Sequence, residues 1–296
     1  MRDSVSGLHP AISFLFFVFV LLVTMLMLHP AFLLCSFLAA AAYLCYLKGF
    51  AHLLRQLAYL LPLMLFACLL NTLFNHQGVT TLFYLPNGNP ITLEATLYGL
   101  ASAATVCSVI LWFGCYHCVI TSDKFLYLFG RVIPALALLL SMALRFVPRF
   151  QTHMRRVIAA QRAIGHDLSQ GNRIQRIRYG GRILSITLTW ALENGIVTAD
   201  SMKSRGYGSC HRTHFSLFRF DRRDAIVLGG MLVLLALTCV GIGGNFLSIR
   251  YYPSILMNPI TVWSVLSVLA FGLFCFLPIL LNGKEALTWR RLQSKI

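Results

Sequence analysis

Six apolar runs, each close to the length of a membrane-crossing helix, limit what this 296-residue chain can fold into. A hydrocarbon core takes about 20 helical residues to cross. Runs of that order fall at about 11–28, 31–47, 57–74, 95–119, 225–247 and 259–281, and none carries Lys, Arg, Asp or Glu away from its edges. Charged residues make up 11% of the chain and hydrophobic ones 58%, whereas a soluble domain carries roughly 25% charge. The fold class is therefore an all-α integral membrane protein. His29-Pro30 between the first two runs suits a short helix–helix turn. No small-residue cleavage site closes the first run, which reads as a span and not as a removed signal peptide.

The basic residues set an orientation. Of the 25 Lys and Arg, 17 lie between positions 121 and 224, and Lys284, Arg290, Arg291 and Lys295 fall in the tail. Lys48 and Arg55 follow the second run, Asn75 to Glu94 has neither Lys nor Arg, and Arg250 alone lies between the last two runs. This alternation is the positive-inside pattern and predicts that both termini and the central segment face the cytoplasm. Three regions follow: 1–120 with four spans, 121–224 as a cytoplasmic or interfacial insertion, and 225–296 with two spans and a basic tail. Within about 76–94, Pro86-Asn87-Gly88-Asn89-Pro90 lies between alternating apolar residues and predicts a small external hairpin.

The insertion does not read as a disordered linker. Val132 to Leu144 is apolar but too short to span, and Pro148 in Arg145-Phe146-Val147-Pro148 predicts a break and a new helix start. From Arg149 to Ala163, Phe150, Met154, Val157 and Ile158 oppose Arg149, Arg155, Arg156 and Arg162, and Gly165 is a stop. Asp167 to Gly181 reads as a polar loop. A second helix is expected from about Arg182 to Arg205, with Leu184, Leu188, Ala191, Gly195, Thr198 and Met202 along one face. Small residues at 191, 195 and 199 predict the close approach of another helix. Ser204-Arg205-Gly206 ends it: glycine is the common C-terminal cap, the helix dipole favours a cation there, and a guanidinium fork suits carboxylates or carbonyls.

Several functions are excluded by what is lacking. Gly283-Lys284 is followed by Glu285 and has no upstream glycine at phosphate-loop spacing, so the chain is not expected to hydrolyse ATP. No acid lies deep in a run, which argues against a proton- or sodium-driven carrier. The nine cysteines form no disulfide framework. Cys115-Tyr116-His117-Cys118 lacks a second ligand pair, and Cys210-His211 with His214 lacks a further cysteine or carboxylate nearby. Glu94 is isolated. Neither a catalytic constellation, a metal site nor a cofactor site is expected, and no nucleic acid partner.

The residues carry a family likeness. Leu144-Arg145-Phe146-Val147-Pro148, Ala159-Ala160-Gln161 with Ala163-Ile164-Gly165, and above all Ala199 to Gly208 resemble the transmembrane T component of energy-coupling factor (ECF) transporters. That family has two small-Arg-small motifs, each at the end of a cytoplasmic coupling helix. Ser204-Arg205-Gly206 matches the second. In the first, aligned on Ala160-Gln161, the expected arginine falls on Ile164, between Ala163 and Gly165, while Arg162 lies two residues earlier on another side of the helix. Three arrangements stand open: Ile164 packs into an apolar part of a groove, Arg162 reaches round, or two unlike ATPases dock asymmetrically.

The resemblance implies a non-catalytic energy-coupling subunit of an ATP-driven importer for a vitamin or transition-metal ion, in a bacterial or archaeal cytoplasmic membrane. Its implied partners are two ABC-type ATPases, one on each coupling-helix end, and a membrane-embedded S component that carries the substrate. The charge pattern also fits a second function, a membrane adaptor or receptor whose basic helices bind anionic lipid or a signalling partner.

Overall fold

A computed structural model describes residues 3–84, 90–130, 133–166, 172–209, 218–259 and 261–293. The chain divides into two compact units, one formed by Met1–Phe125 with Phe218–Ile296 and the other by Leu126–Leu217.

The first unit contains the apolar runs as helices α1 (Pro10–Leu26), α2 (Pro30–Lys48), α3 (Phe50–Phe74), α4 (Leu93–Val119), α8 (Arg222–Gly243) and α9 (Val262–Gln293). Five of these six are long and apolar enough to cross a membrane, while α1 is a shorter apolar helix of 17 residues. α1 and α2 start alike: Pro10 and Pro30 occupy the first turn, and the Nδ1 atoms of His9 and His29 accept from the amides of Ala11 and Ala31 at 3.3 Å each. Proline suits that position because its missing N–H is one of the donors a helix start leaves unused.

Phe16, Phe17, Phe32, Trp112, Phe271 and Phe274 fill the core, drawn from α1, α2, α4 and α9. Trp112 donates through Nε1 to Ser36 Oγ at 2.9 Å, and Ser36 also bonds Thr24 at 2.8 Å. Trp112, Ser36 and Thr24 thus supply one another's partners at depth, as a low-dielectric interior favours. Asn282 of α9 fastens the segment before α1. Its Oδ1 accepts from the Ser4 amide at 2.6 Å, and its Nδ2 donates to Asp3 Oδ1 at 2.6 Å. Tyr43 donates to the same carboxylate at 2.9 Å.

The expected hairpin is present as antiparallel strands β1 (Thr81–Tyr84) and β2 (Pro90–Thr92). The Asn-Gly turn at 86–89 lies outside the described residues. Glu94, unremarkable in the sequence, is buried beneath the hairpin and accepts from the Thr80 amide and from Thr80 Oγ1 at 2.8 Å. A second short pair, β3 (Ile249–Arg250) with β4 (Leu256–Met257), joins α8 to α9. Tyr251 beside it donates to the Leu28 carbonyl at 2.7 Å. Cys115 is buried with its thiol directed to the Ala40 carbonyl, and Cys118 donates back to Gly114.

The second unit departs from expectation in three ways. α5 (Ser122–Gly130), not foreseen, leads into it, and α6 (Pro134–Ala163) is one helix that continues through Pro148. The proline removes one backbone hydrogen bond, but rings on both sides of it, Phe146 and His153, stack on Trp190 of α7 and hold the two halves on one partner. α7 (Arg173–Ser204) begins nine residues earlier than the polar composition predicted. Asn172 and Gln175 form a capping box there, supplying partners to amides that a helix start leaves bare.

The face of α7 turned toward α6 carries Ile183, Thr187, Trp190 and Asn194, while Leu184 and Leu188, the first members of the apolar stripe, are 61% and 55% exposed. A Cβ added to Gly195 would meet nothing within 4 Å, so this glycine does not serve close helix approach within the unit. The exposed row Leu184, Leu188, Leu192 and Ile196 instead runs at four-residue spacing along the outside.

Candidate functional site

Both helices of the second unit end in the same backbone device. At the end of α6, Ala163 is the last helical residue, Ile164 follows at φ −90° and ψ 7°, and Gly165 turns left-handed at φ +86°. The Gly165 amide donates to Arg162 O at 3.1 Å and the His166 amide to Gln161 O at 2.9 Å. At the end of α7, Ser204 is followed by Arg205 at φ −85° and ψ 8° and by Gly206 at φ +79°. The Gly206 amide donates to Lys203 O at 2.9 Å and the Tyr207 amide to Met202 O at 3.0 Å. This paired arrangement of bonds is the Schellman motif, which closes two otherwise unpaired carbonyls and needs a left-handed residue that glycine supplies without strain.

Ile164 and Arg205 are therefore matched residues of two matched helix ends, and both are exposed, Ile164 to 70%. Arg162, two residues before Ile164, projects about 160° around the helix from it. Ser204 Oγ donates to the Asp200 carbonyl at 2.7 Å, which keeps its side chain on its own helix.

The two ends are supported differently. Beyond Ile164, His166 packs on the Tyr179 ring at 4.7 Å between centroids and accepts through Nε2 from Arg182 Nη1 at 2.9 Å. The end of α6 is thereby tied to the early part of α7. Arg205 with Ser201 and Met202 lines a groove whose opposite wall is Met142 and Arg145, from the early part of α6. These contacts make α6 and α7 antiparallel and put the two ends at opposite extremities of the pair. About 35 Å of helix separates Arg182 from Arg205, at 1.5 Å per residue. Between them, His153 stacks on Trp190 with ring centroids 3.9 Å apart and planes 5° from parallel.

Among the described residues, no group of three His, Cys, Asp or Glu is arranged to hold a metal ion. Cys210, His211 and His214 lie outside the described residues.

A protein of Lacticaseibacillus paracasei described as energy-coupling factor transporter transmembrane protein EcfT is 37% identical over 106 residues, 36% of this chain and 40% of that one. The namesake from Lactobacillus helveticus is 33% identical over 118 residues, 40% of this chain and 43% of its own. This chain is a relative of ECF transporter transmembrane proteins. A third relative with that description, from Streptococcus thermophilus, is 34% identical over 105 residues, 34% of this chain and 40% of the relative. The matched stretch thus spans about two fifths of these relatives' length. No family model matches the chain.

The small-X-Gly pattern at both ends was legible from the sequence. The equivalence of their backbones was not, because it depends on how the glycines fold back. The His166, Tyr179 and Arg182 brace was missed for a different reason: 173–181 reads as loop until Asn172 and Gln175 are recognised as a capping pair.

Proposed function

We propose that this chain is the transmembrane energy-coupling subunit of an ECF-type ATP-driven importer for a micronutrient, a vitamin or transition-metal ion. It lies in the bacterial or archaeal cytoplasmic membrane, with both termini and the α6–α7 pair on the cytoplasmic side. The observation that carries the reading is the pair of matched, exposed helix ends at opposite extremities of one antiparallel unit. The relatives' name and the placement of basic residues support it further.

In this reading two ABC-type ATPases each receive one end in a surface groove. Ser204, Arg205 and Gly206 form one contact, where Arg205 meets carboxylate or carbonyl groups in charge-assisted hydrogen bonds. Ala163, Ile164 and Gly165 form the other, with Ile164 as an apolar plug and Arg162 directed elsewhere. ATP is bound and hydrolysed by the partners. When they close, the ends move relative to each other, and the α6–α7 pair transmits the motion through its exposed apolar residues. Leu136 and Leu139 on α6 and the Leu184–Ile196 row on α7 form the surface for a membrane-embedded S component.

Co-expression tests this directly. Cells carrying the two ATPases, an S component and this chain take up the S component's ligand, and cells lacking this chain do not. Uptake that persists without it contradicts the reading. Under the adaptor alternative, losing any several arginines matters additively through charge. Under the importer reading Arg205 dominates, and Arg205→Lys rescues incompletely because the planar fork is lost.

A further inference from the structure

We propose that α6 and α7 form a binding site for an anionic glycerophospholipid, with its phosphate held by Arg145, Arg149 and Arg156 and an acyl chain in the adjoining groove. The groove reaches Arg205 at the end of α7, so the lipid site adjoins that helix end.

Two cavities adjoin. One, of about 690 Å³, is lined by Arg145, Arg149 and Arg156 of α6, with His153 and Trp190 as an aromatic wall and Asn194 as a neutral donor. Among the described residues, no ion pair joins any of the three arginines to a carboxylate. Three guanidinium groups line one cavity, and an anion seated among them offsets their mutual repulsion. Arginine's planar fork fits phosphate oxygens in bidentate fashion. The stacked His153 and Trp190 rings, 3.9 Å apart, give the cavity a stiff side.

The second cavity, of about 820 Å³, shares Arg145, Arg149 and Asn194 with the first. Away from them it is lined mainly by apolar and small groups, including Met142, Phe146, Gly195, Val197 and Met202, with Arg205 as the one further charged residue. Gly195, which brings no helix close, here leaves the groove open. A cationic cavity continuous with an apolar groove matches a molecule with a phosphate at one end and hydrocarbon at the other. Leu136 and Leu139, 56% and 68% exposed on α6 beyond the arginines, extend the apolar side. A free phosphate compound fills the first cavity alone, and an acidic protein segment leaves the apolar groove without purpose.

The full chain, delipidated in neutral detergent, is titrated with phosphatidylglycerol, with phosphatidylcholine of the same chains, and with glycerol phosphate, and bound ligand is counted by native mass spectrometry. The wild type should hold phosphatidylglycerol about tenfold more tightly than phosphatidylcholine, and glycerol phosphate should compete weakly. Arg145→Gln, Arg149→Gln and Arg156→Gln together should abolish the preference, while Lys48→Gln, Arg55→Gln and Arg290→Gln, equal in charge loss, should keep it. Should the triple variant not fold, Arg149→Gln alone decides, with an expected weakening of about fivefold. The site is overturned by equal binding of the two lipids, by glycerol phosphate competing as well as lipid, by a preference that survives the substitutions, or by equal loss in the control.

Discussion

Ile164 and Arg205 sit at the same position of two Schellman caps, with backbone angles that agree within 5° in φ and 1° in ψ. The difference between the two helix ends is thus one of side chain and not of backbone. Ile164→Arg should fold without penalty, with stability changed by less than about 0.5 kcal/mol, as for other exposed substitutions. In the coupling account it should also raise retention of any ATPase that accepts the Arg205 end. Thermal melting and co-purification of that variant check both halves.

The two caps depend on left-handed glycines. Gly206 has φ +79° and Gly165 φ +86°, angles at which an L side chain is strained by about 1–2 kcal/mol. Gly206→Ala should speed amide exchange in the last turn of α7, at residues 203–207, and leave α6 unchanged. Gly165→Ala should do the reverse. Gly206→Asn should be milder, because asparagine enters that region more easily.

Asn282 supports the fastening of the N-terminal segment in the first unit. It accepts from the buried Ser4 amide and donates to Asp3. Asn282→Leu leaves that amide unpaired and takes one donor from the carboxylate. A loss of about 1–3 kcal/mol is expected, read as a lower melting temperature in detergent. Asn282→Asp should be worse than Leu, since it puts a second carboxylate beside Asp3.

His29 gives a pH dependence. Burial holds its imidazole below the ordinary value of 6.5, and the neutral ring accepts the Ala31 amide at the start of α2. Between the lowered folded value and 6.5 the unfolded chain binds more protons, so stability rises with pH across that window. His29's contribution is full above about pH 6.5 and is lost as pH falls through the folded value. His29→Asn keeps an acceptor at the cap without titrating. Melting curves of the variant should therefore lose this part of the acid sensitivity.

The sequence placed the apolar helices well because a long uncharged run has few alternatives in a membrane protein. It did less well where tertiary contacts outweigh local rules. Pro148 reads as a break, yet stacking of Phe146 and His153 on Trp190 carries α6 through it. The α7 stripe did not show which side of the helix is buried: Leu184 and Leu188 are exposed, and Ile183 and Thr187 are buried. Hydropathy alone cannot assign the inner face of a helix that has apolar residues on two sides. Glu94 looked isolated because its partner, Thr80, reaches it only once the hairpin closes. The positions of the small-X-Gly ends, in contrast, were legible, since a glycine after an amphipathic run carries its own geometric reason.

The central claim is that the two helix ends are docking points for ATPases. The most direct test is co-purification of the tagged chain with ATPases of the same genome, as wild type, Arg205→Glu and Ile164→Glu. The account predicts that wild type retains ATPase, that Arg205→Glu loses at least one subunit through charge reversal, and that Ile164→Glu weakens the other contact. A wild-type chain that retains none, or an Arg205→Glu variant that retains as much as wild type, would contradict it.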